Sequence, residues 1–333
     1  MDDRIQLAAA LKAGDIAAAD FRAHTFGRKR FFRSEYRGRS AWIKLYDGID
    51  LPMRLTGDTN YREIRFIETA DAERMQSIFR LPYIEALRDP LCVVMDDMTE
   101  ELARFGPPNL PTAEQMETLI RALAKKDTMP CETAPWLGRA DSFLNVLGDI
   151  ITAFALGYDT PLVQQVREEW PWFEKGLHNL QRDNQSLWTR ILAISQDHSL
   201  ASELSSLRSG LQHGDFYFSN IGFTADGQPV VIDWEAVMVG PVGLDLASLI
   251  DGMPPLPFMG KALDWYLETF NSIADQPLSR ETLQQHLALI RRRSIRTSGL
   301  VDLIYFGYSG AKAIPAPVRD GMIADFAAEL ERE

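Results

Sequence analysis

The sequence predicts an α+β fold of two lobes, an N-terminal five-stranded antiparallel sheet over residues 1–100 and a larger, mainly helical lobe over residues 101–333. Three observations predict it. Five short apolar runs with the period of strands precede residue 96, a Gly/Pro-rich linker follows from Gly106 to Pro111, and helical periodicity dominates beyond it.

Taken in order, Asp3 to Lys12 reads as a short amphipathic helix that Gly14 stops. Phe21 to Thr25, Phe32 to Tyr36 and Ala41 to Tyr46 then read as three strands. Asp58 or Thr59 caps a helix that carries Tyr61, Ile64 and Ile67 on one face. Tyr83 to Leu87 and Leu91 to Met95 flank Arg88-Asp89-Pro90 as a hairpin that completes the sheet. Past the linker, Thr112 and Gln115 form a capping pattern ahead of Met116, Leu119, Ile120 and Leu123. Helical patterns recur from Phe143 to Phe154, Leu162 to Trp170, Leu187 to Ile194, Met259 to Phe270, Thr282 to Ile290 and Met322 to Leu330.

Composition narrows the classes of function. A net charge of −12 and a pI near 5.0 argue against a nucleic-acid partner, whose phosphates demand a basic surface. No apolar run approaches a membrane span, and Met1-Asp2-Asp3-Arg4 lacks the layout of a signal peptide, so a cytoplasmic protein without a membrane partner is expected. The two cysteines, Cys92 and Cys131, have neither metal-site nor disulfide-framework spacing.

The most informative stretch runs from Leu211 to Asp233. Asp215 and Asn220 stand five residues apart, and a hairpin with Ile221 and Phe223 on one arm, Asp226-Gly227 at its turn and Val230 to Ile232 on the other returns Asp233 beside Asn220. Transfer of a phosphoryl group needs hard oxygen ligands for Mg²⁺, an acceptor for the attacking hydroxyl's proton, and positive charge on the phosphates. This stretch provides the first two.

His213-Gly214-Asp215, Asn220, Ile232-Asp233-Trp234-Glu235, Gly240-Pro241 and Asp245-Leu246-Ala247 together resemble the aminoglycoside phosphotransferase and choline kinase superfamily, small-molecule kinases with a protein-kinase-like fold. The resemblance implies that Asp215 is the catalytic base, that Asn220 and Asp233 hold Mg²⁺, that Asp245 organises the loop, and that His213 supports it. It also implies that Lys44, flanked by Ile43 and Leu45 on the third strand, neutralises the α- and β-phosphates of ATP. Glu63 on the next helix is its expected partner, with Glu68 as the competitor, and adenine is expected on main-chain atoms near Asp97 and Met98.

One departure stands out. No Gly-x-Gly-x-x-Gly joins the first strands; Gly27-Arg28-Lys29-Arg30 is there instead, in a region rich in Arg and Lys that serves either the phosphates or a solvated basic edge. Glu168 to Glu174, with Trp170, Trp172 and Phe173, reads as helix packing or as a surface for a cation or a sugar. Arg291-Arg292-Arg293 reads as a solvated helix end.

The implied function is ATP-dependent transfer of a phosphoryl group to a hydroxyl of a small molecule. Aminoglycoside, amino-alcohol, sugar and nucleoside-like acceptors all stay open. A catalytically silent nucleotide-binding module is the alternative; a protein kinase is disfavoured, because Gly240-Pro241 follows Asp233 too soon for an activation loop.

Overall fold

The structure, a computed structural model, describes residues 7–11, 29–58, 60–99, 110–131, 134 and 136–331. Strands β1 (Lys29–Tyr36), β2 (Arg39–Tyr46), β3 (Tyr83–Arg88) and β4 (Leu91–Asp96) form an antiparallel sheet in the order β1-β2-β4-β3. The sheet therefore has four strands among the described residues rather than five. The expected strand from Phe21 to Thr25 lies outside them, as does the expected boundary near residue 100.

Period-two alternation sorts the sheet's faces. Phe32, Ile43, Leu45, Cys92 and Val94 pack one face with Leu7 and Leu11 of the helical segment α1 (residues 7–11). Lys44, Tyr46 and Val93 point to the other. A slip of one residue would exchange the two faces and put Lys44 in the apolar one.

Three short helices lie between β2 and β3: α2 (Leu51–Leu55), α3 (Arg62–Ile67) and α4 (Ala70–Gln76). Asp50 caps α2 by accepting from the amide of Met53 at 3.0 Å. Asp58, one of the two expected caps for α3, accepts from the amide of Arg62 at 2.7 Å and satisfies a first-turn donor; Thr59, the other, lies outside the described residues.

The remaining helices are α5 (Ala113–Thr128), α6 (Ala140–Leu156), α7 (Pro161–Glu169), α8 (Pro171–Asp183), α9 (Gln185–Ser195), α10 (Ser199–Ser206), α11 (Leu244–Asp251), α12 (Ala262–Ile273), α13 (Arg280–Ser294), α14 (Leu300–Asp302) and α15 (Ala316–Glu331). Thr112 and Gln115 form the expected capping box of α5. The chain stays helical from α13 through α14 to Tyr308, with wide π turns at Ile295–Gly299 and Leu303–Tyr308. Such turns disturb the regular ladder and are frequent at functional sites.

Two small sheets carry the motif stretch. β5 (Gly138–Arg139), β6 (Ser209–Gln212) and β9 (Met238–Pro241) align as β5-β9-β6, and β7 (Ile221–Phe223) pairs with β8 (Pro229–Val231) in the expected hairpin. Among the described residues no single helix is long and apolar enough to cross a membrane.

Contacts between the sheet lobe and the helical lobe fix α2 and α3. The Trp234 ring stacks on Phe66 of α3 at 4.6 Å. The amide of Leu51 donates to Glu169 Oε2 at 2.8 Å, and Leu51 and Leu55 sit in one core with Leu147, Ile151 and Trp170. The buried guanidinium of Arg62 lies against Gly138, where a Cβ would come within 2.7 Å of it.

Candidate active site

The loop after β6 is shaped by its own backbone demands. Gly214 has φ +83°, and a Cβ there would lie 2.4 Å from the carbonyl oxygen of Ala236, so only glycine lets the chain turn. The turn is held from beneath by Asp245 of α11, which accepts from the amides of His213 at 2.8 Å and Gly214 at 3.0 Å. His213 Nδ1 accepts from the Asp215 amide at 3.2 Å, which leaves the proton on Nε2 to donate to the carbonyl of Ile232 at 2.9 Å. Both ring nitrogens thus brace the backbone.

Asn220 Nδ2 donates to the carboxylate and the carbonyl of Asp215, each at 2.9 Å. The hairpin returns the chain as expected, with the Ile232 amide on the Asn220 carbonyl at 3.0 Å. Asp233 adopts a left-handed conformation, φ 64°, which Asp tolerates better than most residues and which sends its carboxylate to the cleft while Trp234 enters the core. Burial, then repulsion from Asp233, pushes the Asp215 carboxyl above the usual carboxylate range. Burial acts the same way on Asp233, but Lys44 and Lys29 outweigh it and hold that carboxyl low.

Lys44, only 2% exposed, meets Glu63 at 2.8 Å, Asp233 at 2.6 Å and Glu235 at 2.8 Å. Burial works against its charge, and the three acids more than restore it, raising its pKa well above the ordinary value. Glu63 is fixed in turn by hydroxyl donors from Tyr46 and Tyr83. Glu68 pairs with Arg88 instead. Carboxylates of Glu63, Asp233 and Glu235 come within 4.8 Å of one another, an all-oxygen donor set of the kind that suits Mg²⁺.

The other expected contacts divide. The Asp97 amide donates to the Ser40 carbonyl at 3.1 Å, and its carboxylate takes donors from Ser40 and Trp42 and pairs with Arg33. Burial alone would raise that carboxyl, but donors from Thr99, Ser40 and Arg33 hold it well below its usual range. Met98 is buried. Most of the basic cluster is engaged elsewhere: Arg30 with Asp47, Arg37 with Glu85, Arg39 with Asp96. Lys29 alone among the described basic residues of β1 and its turn to β2 reaches the cleft acids, bridging Glu235 and Asp50.

A cleft of about 570 Å³ opens in front of Asp215 and Asp233. Its far wall comes from α8 and the π-turned helix, with Trp170 and Trp172 stacked at 5.2 Å and Tyr305 edge-on to Trp172 at 4.8 Å. The tryptophans therefore both pack between helices and face the cavity. Arg293 corrects the reading of its run as a solvated helix end. Arg291 and Arg292 pair with Asp251 and Glu203, but Arg293 is buried, lines the cleft and donates to the Ala140 carbonyl at 2.6 Å, because the helix continues past it instead of ending. Burial lowers its pKa to about 10. Asp302, exposed, also lines the cleft, with no hydrogen bond or ion pair to its carboxylate among the described residues.

Sequence reasoning missed a buried group behind the loop. Lys126, 0% exposed at the end of α5, donates to Asp127 at 2.6 Å and to the Leu211 carbonyl at 2.7 Å, and lies 3.1 Å from Asp245. Asp127 also takes donors from Gln212, the Gly243 amide and the Tyr266 hydroxyl. A signal was present: the apolar stripe Met116, Leu119, Ile120, Leu123 of α5 runs on, at the same spacing, into Lys126 and Asp127.

Comparison with known proteins places this geometry. The family model described as the phosphotransferase enzyme family matches residues 100–271, just over half of the chain. No curated protein matches by sequence. Among solved structures, amicoumacin kinase hAmiN, in complex with AMP-PNP, Ca²⁺ and Ami, is similar with a TM-score of 0.57 at 13% identity, covering 100% of this chain and 96% of that one. Choline kinase LicA from Streptococcus pneumoniae gives 0.55 at 10% identity, covering 99% and 100%. Macrolide 2'-phosphotransferase MphH from Brachybacterium faecium gives 0.51 at 12% identity, covering 99% and 97%. At these identities the neighbours establish a shared kinase-like fold, and the family match carries the rest: this chain belongs to the phosphotransferase enzyme family.

Proposed function

We propose that the enzyme transfers the γ-phosphoryl group of ATP to a hydroxyl of a small, amine-bearing molecule held in the cleft. The observation that carries the transfer is the meeting of Asp215, Asn220, Asp233 and Lys44 at one cavity. Asp215 accepts the hydroxyl's proton as the new P–O bond forms, and Asn220 keeps its carboxylate aimed. Lys44, oriented by Glu63, neutralises the α- and β-phosphates. Asn220 and Asp233 are the residues that hold Mg²⁺, which when bound supplies charge neutralisation on the phosphates being separated. With the Asp97 amide engaged by Ser40, the adenine contact falls to the Asp97 carbonyl or to the Met98 main chain. In this reading the nucleotide lobe ends near residue 100.

The amine follows from Asp302. Its exposed carboxylate, in a cleft lined also by Trp172, Tyr305, Arg293 and Lys312, offers a cationic group an ion pair beside aromatic rings. Of the acceptor classes, this favours amino alcohols and aminoglycosides over free sugars and nucleosides.

Two results are expected. Millimolar ATP raises the melting temperature only when Mg²⁺ accompanies it, and D233A abolishes that dependence; a shift indifferent to the metal would sink the metal assignment. An ATP-consumption screen over aminoglycosides, choline-like amines, sugars and nucleosides finds its hits among the amines. D302N then raises KM for that acceptor about tenfold with kcat little changed, the mark of lost ground-state binding. An unchanged KM would remove Asp302 from the acceptor site.

A further inference from the structure

We infer that Lys29 is a catalytic residue which binds the γ-phosphoryl group and takes over the charge-neutralising task of the absent glycine-rich loop. The inference rests on the phosphotransferase reading above. It starts from register. Lys29 is the cross-strand partner of Tyr46, and Lys44 stands two residues before Tyr46, so both lysines leave the sheet on the same face. They converge on one acid, since Glu235 takes Lys29 and, at 2.8 Å, Lys44.

Their surroundings differ in a way that assigns them to different phosphates. Lys44 is sealed beneath the site by Glu63 and Tyr46, whereas Lys29 is part of the cleft wall with Asp215, Asp233 and Glu235. A cation in that wall, tied to Glu235 two residues beyond Asp233, is placed to meet the phosphate being transferred. Nothing else described in β1 or its turn is available for the task, because Arg30, Arg33, Arg37 and Arg39 are held by Asp47, Asp97, Glu85 and Asp96. The Lys29 ammonium meets Glu235 and Asp50. Those two acids hold it in place.

During transfer the acceptor oxygen bonds to the γ-phosphorus, the bond from phosphorus to the β,γ-bridging oxygen breaks with its electron pair leaving on ADP, and the hydroxyl proton passes to Asp215. Lys29 keeps its own proton throughout. It donates a hydrogen bond to a non-bridging γ-oxygen, where negative charge must be balanced as the phosphoryl group moves.

The test compares nucleotides that differ by that one phosphate. Affinities of Mg²⁺ with AMP-PNP and of Mg²⁺ with ADP are measured by calorimetry for wild type, K29M, K29R and K44M. K29M is expected to weaken AMP-PNP about ten- to hundredfold, the worth of a charge-assisted hydrogen bond, and ADP by less than about threefold. K29R restores most of the difference, and K44M weakens both nucleotides alike. K29Q gives the same reading should K29M fail to fold. Equal losses on both nucleotides, or a K29M ratio equal to wild type, would overturn the role of Lys29 while leaving the phosphotransferase reading intact. Wild-type protein that binds neither nucleotide would overturn both.

Discussion

Replacing Asp215 by Asn is expected to slow turnover by roughly 10²-fold or more while leaving nucleotide affinity nearly unchanged. Asn preserves the size of the side chain and one acceptor oxygen, so the 2.9 Å bond from Asn220 has somewhere to go and the loop keeps its shape. What disappears is the ability to take a proton from a hydroxyl that is too weakly acidic to attack unaided. Removing the charge also relieves the repulsion between Asp215 and Asp233, which, after burial, is the main reason the Asp215 carboxyl sits high. Metal binding at Asp233 should therefore hold or improve. Binding by calorimetry and rate by coupled ADP release, on whichever amine the screen identifies, separate the two effects. A D215N rate within a few-fold of wild type would show that the proton goes elsewhere.

The second large effect concerns stability. K126M is expected to destabilise the fold by about 3–5 kcal/mol, because among the described residues it removes the cation paired with two buried carboxylates. Asp127 and Asp245 are both buried, and the Leu211 carbonyl loses its donor as well. A loss of that size lowers the melting temperature by on the order of ten degrees in a protein this large. Asp245 is the acid that fixes the amides of His213 and Gly214, so any K126M protein that folds should also lose kcat, with acceptor KM little altered. A variant as stable and as fast as wild type would mean that the network is incidental to the loop.

The parts of this molecule that were legible in the sequence are those written locally. Asp215, Asn220 and Asp233 lie within nineteen residues joined by one hairpin, and the turn residues Asp226 and Gly227 define that hairpin on their own. Lys44 was legible through the family resemblance, as a cation flanked by Ile43 and Leu45, and Glu63 as the first choice of acid on the following helix, with Glu68 as its rival. Lys29 was not, since Arg28 to Arg39 holds many equivalent cations, and only the tertiary positions of Asp47, Glu85, Asp96 and Asp97 show which of them are already engaged. Arg293 was misread for a related reason: three consecutive arginines look like a helix end, and the π turns that carry the helix onward leave no mark in hydrophobic periodicity. Lys126 and Asp127 were overlooked as polar residues near a helix terminus, although they continue its buried stripe.

The way α2 and α3 are fastened has a consequence for control. Many kinases are switched by swinging the helix that carries the partner of the phosphate-binding lysine. Here that helix is bolted down: its Arg62 is sunk against Gly138, its Phe66 lies under Trp234, and the neighbouring α2 hangs from Glu169. Drawing Glu63 away from Lys44 would mean exposing an aromatic stack and pulling a guanidinium out of its seat, a partial unfolding rather than a hinge motion. If Lys44 and Glu63 act as proposed, this fastening keeps their pair assembled without a switch, and turnover follows the supply of ATP and acceptor.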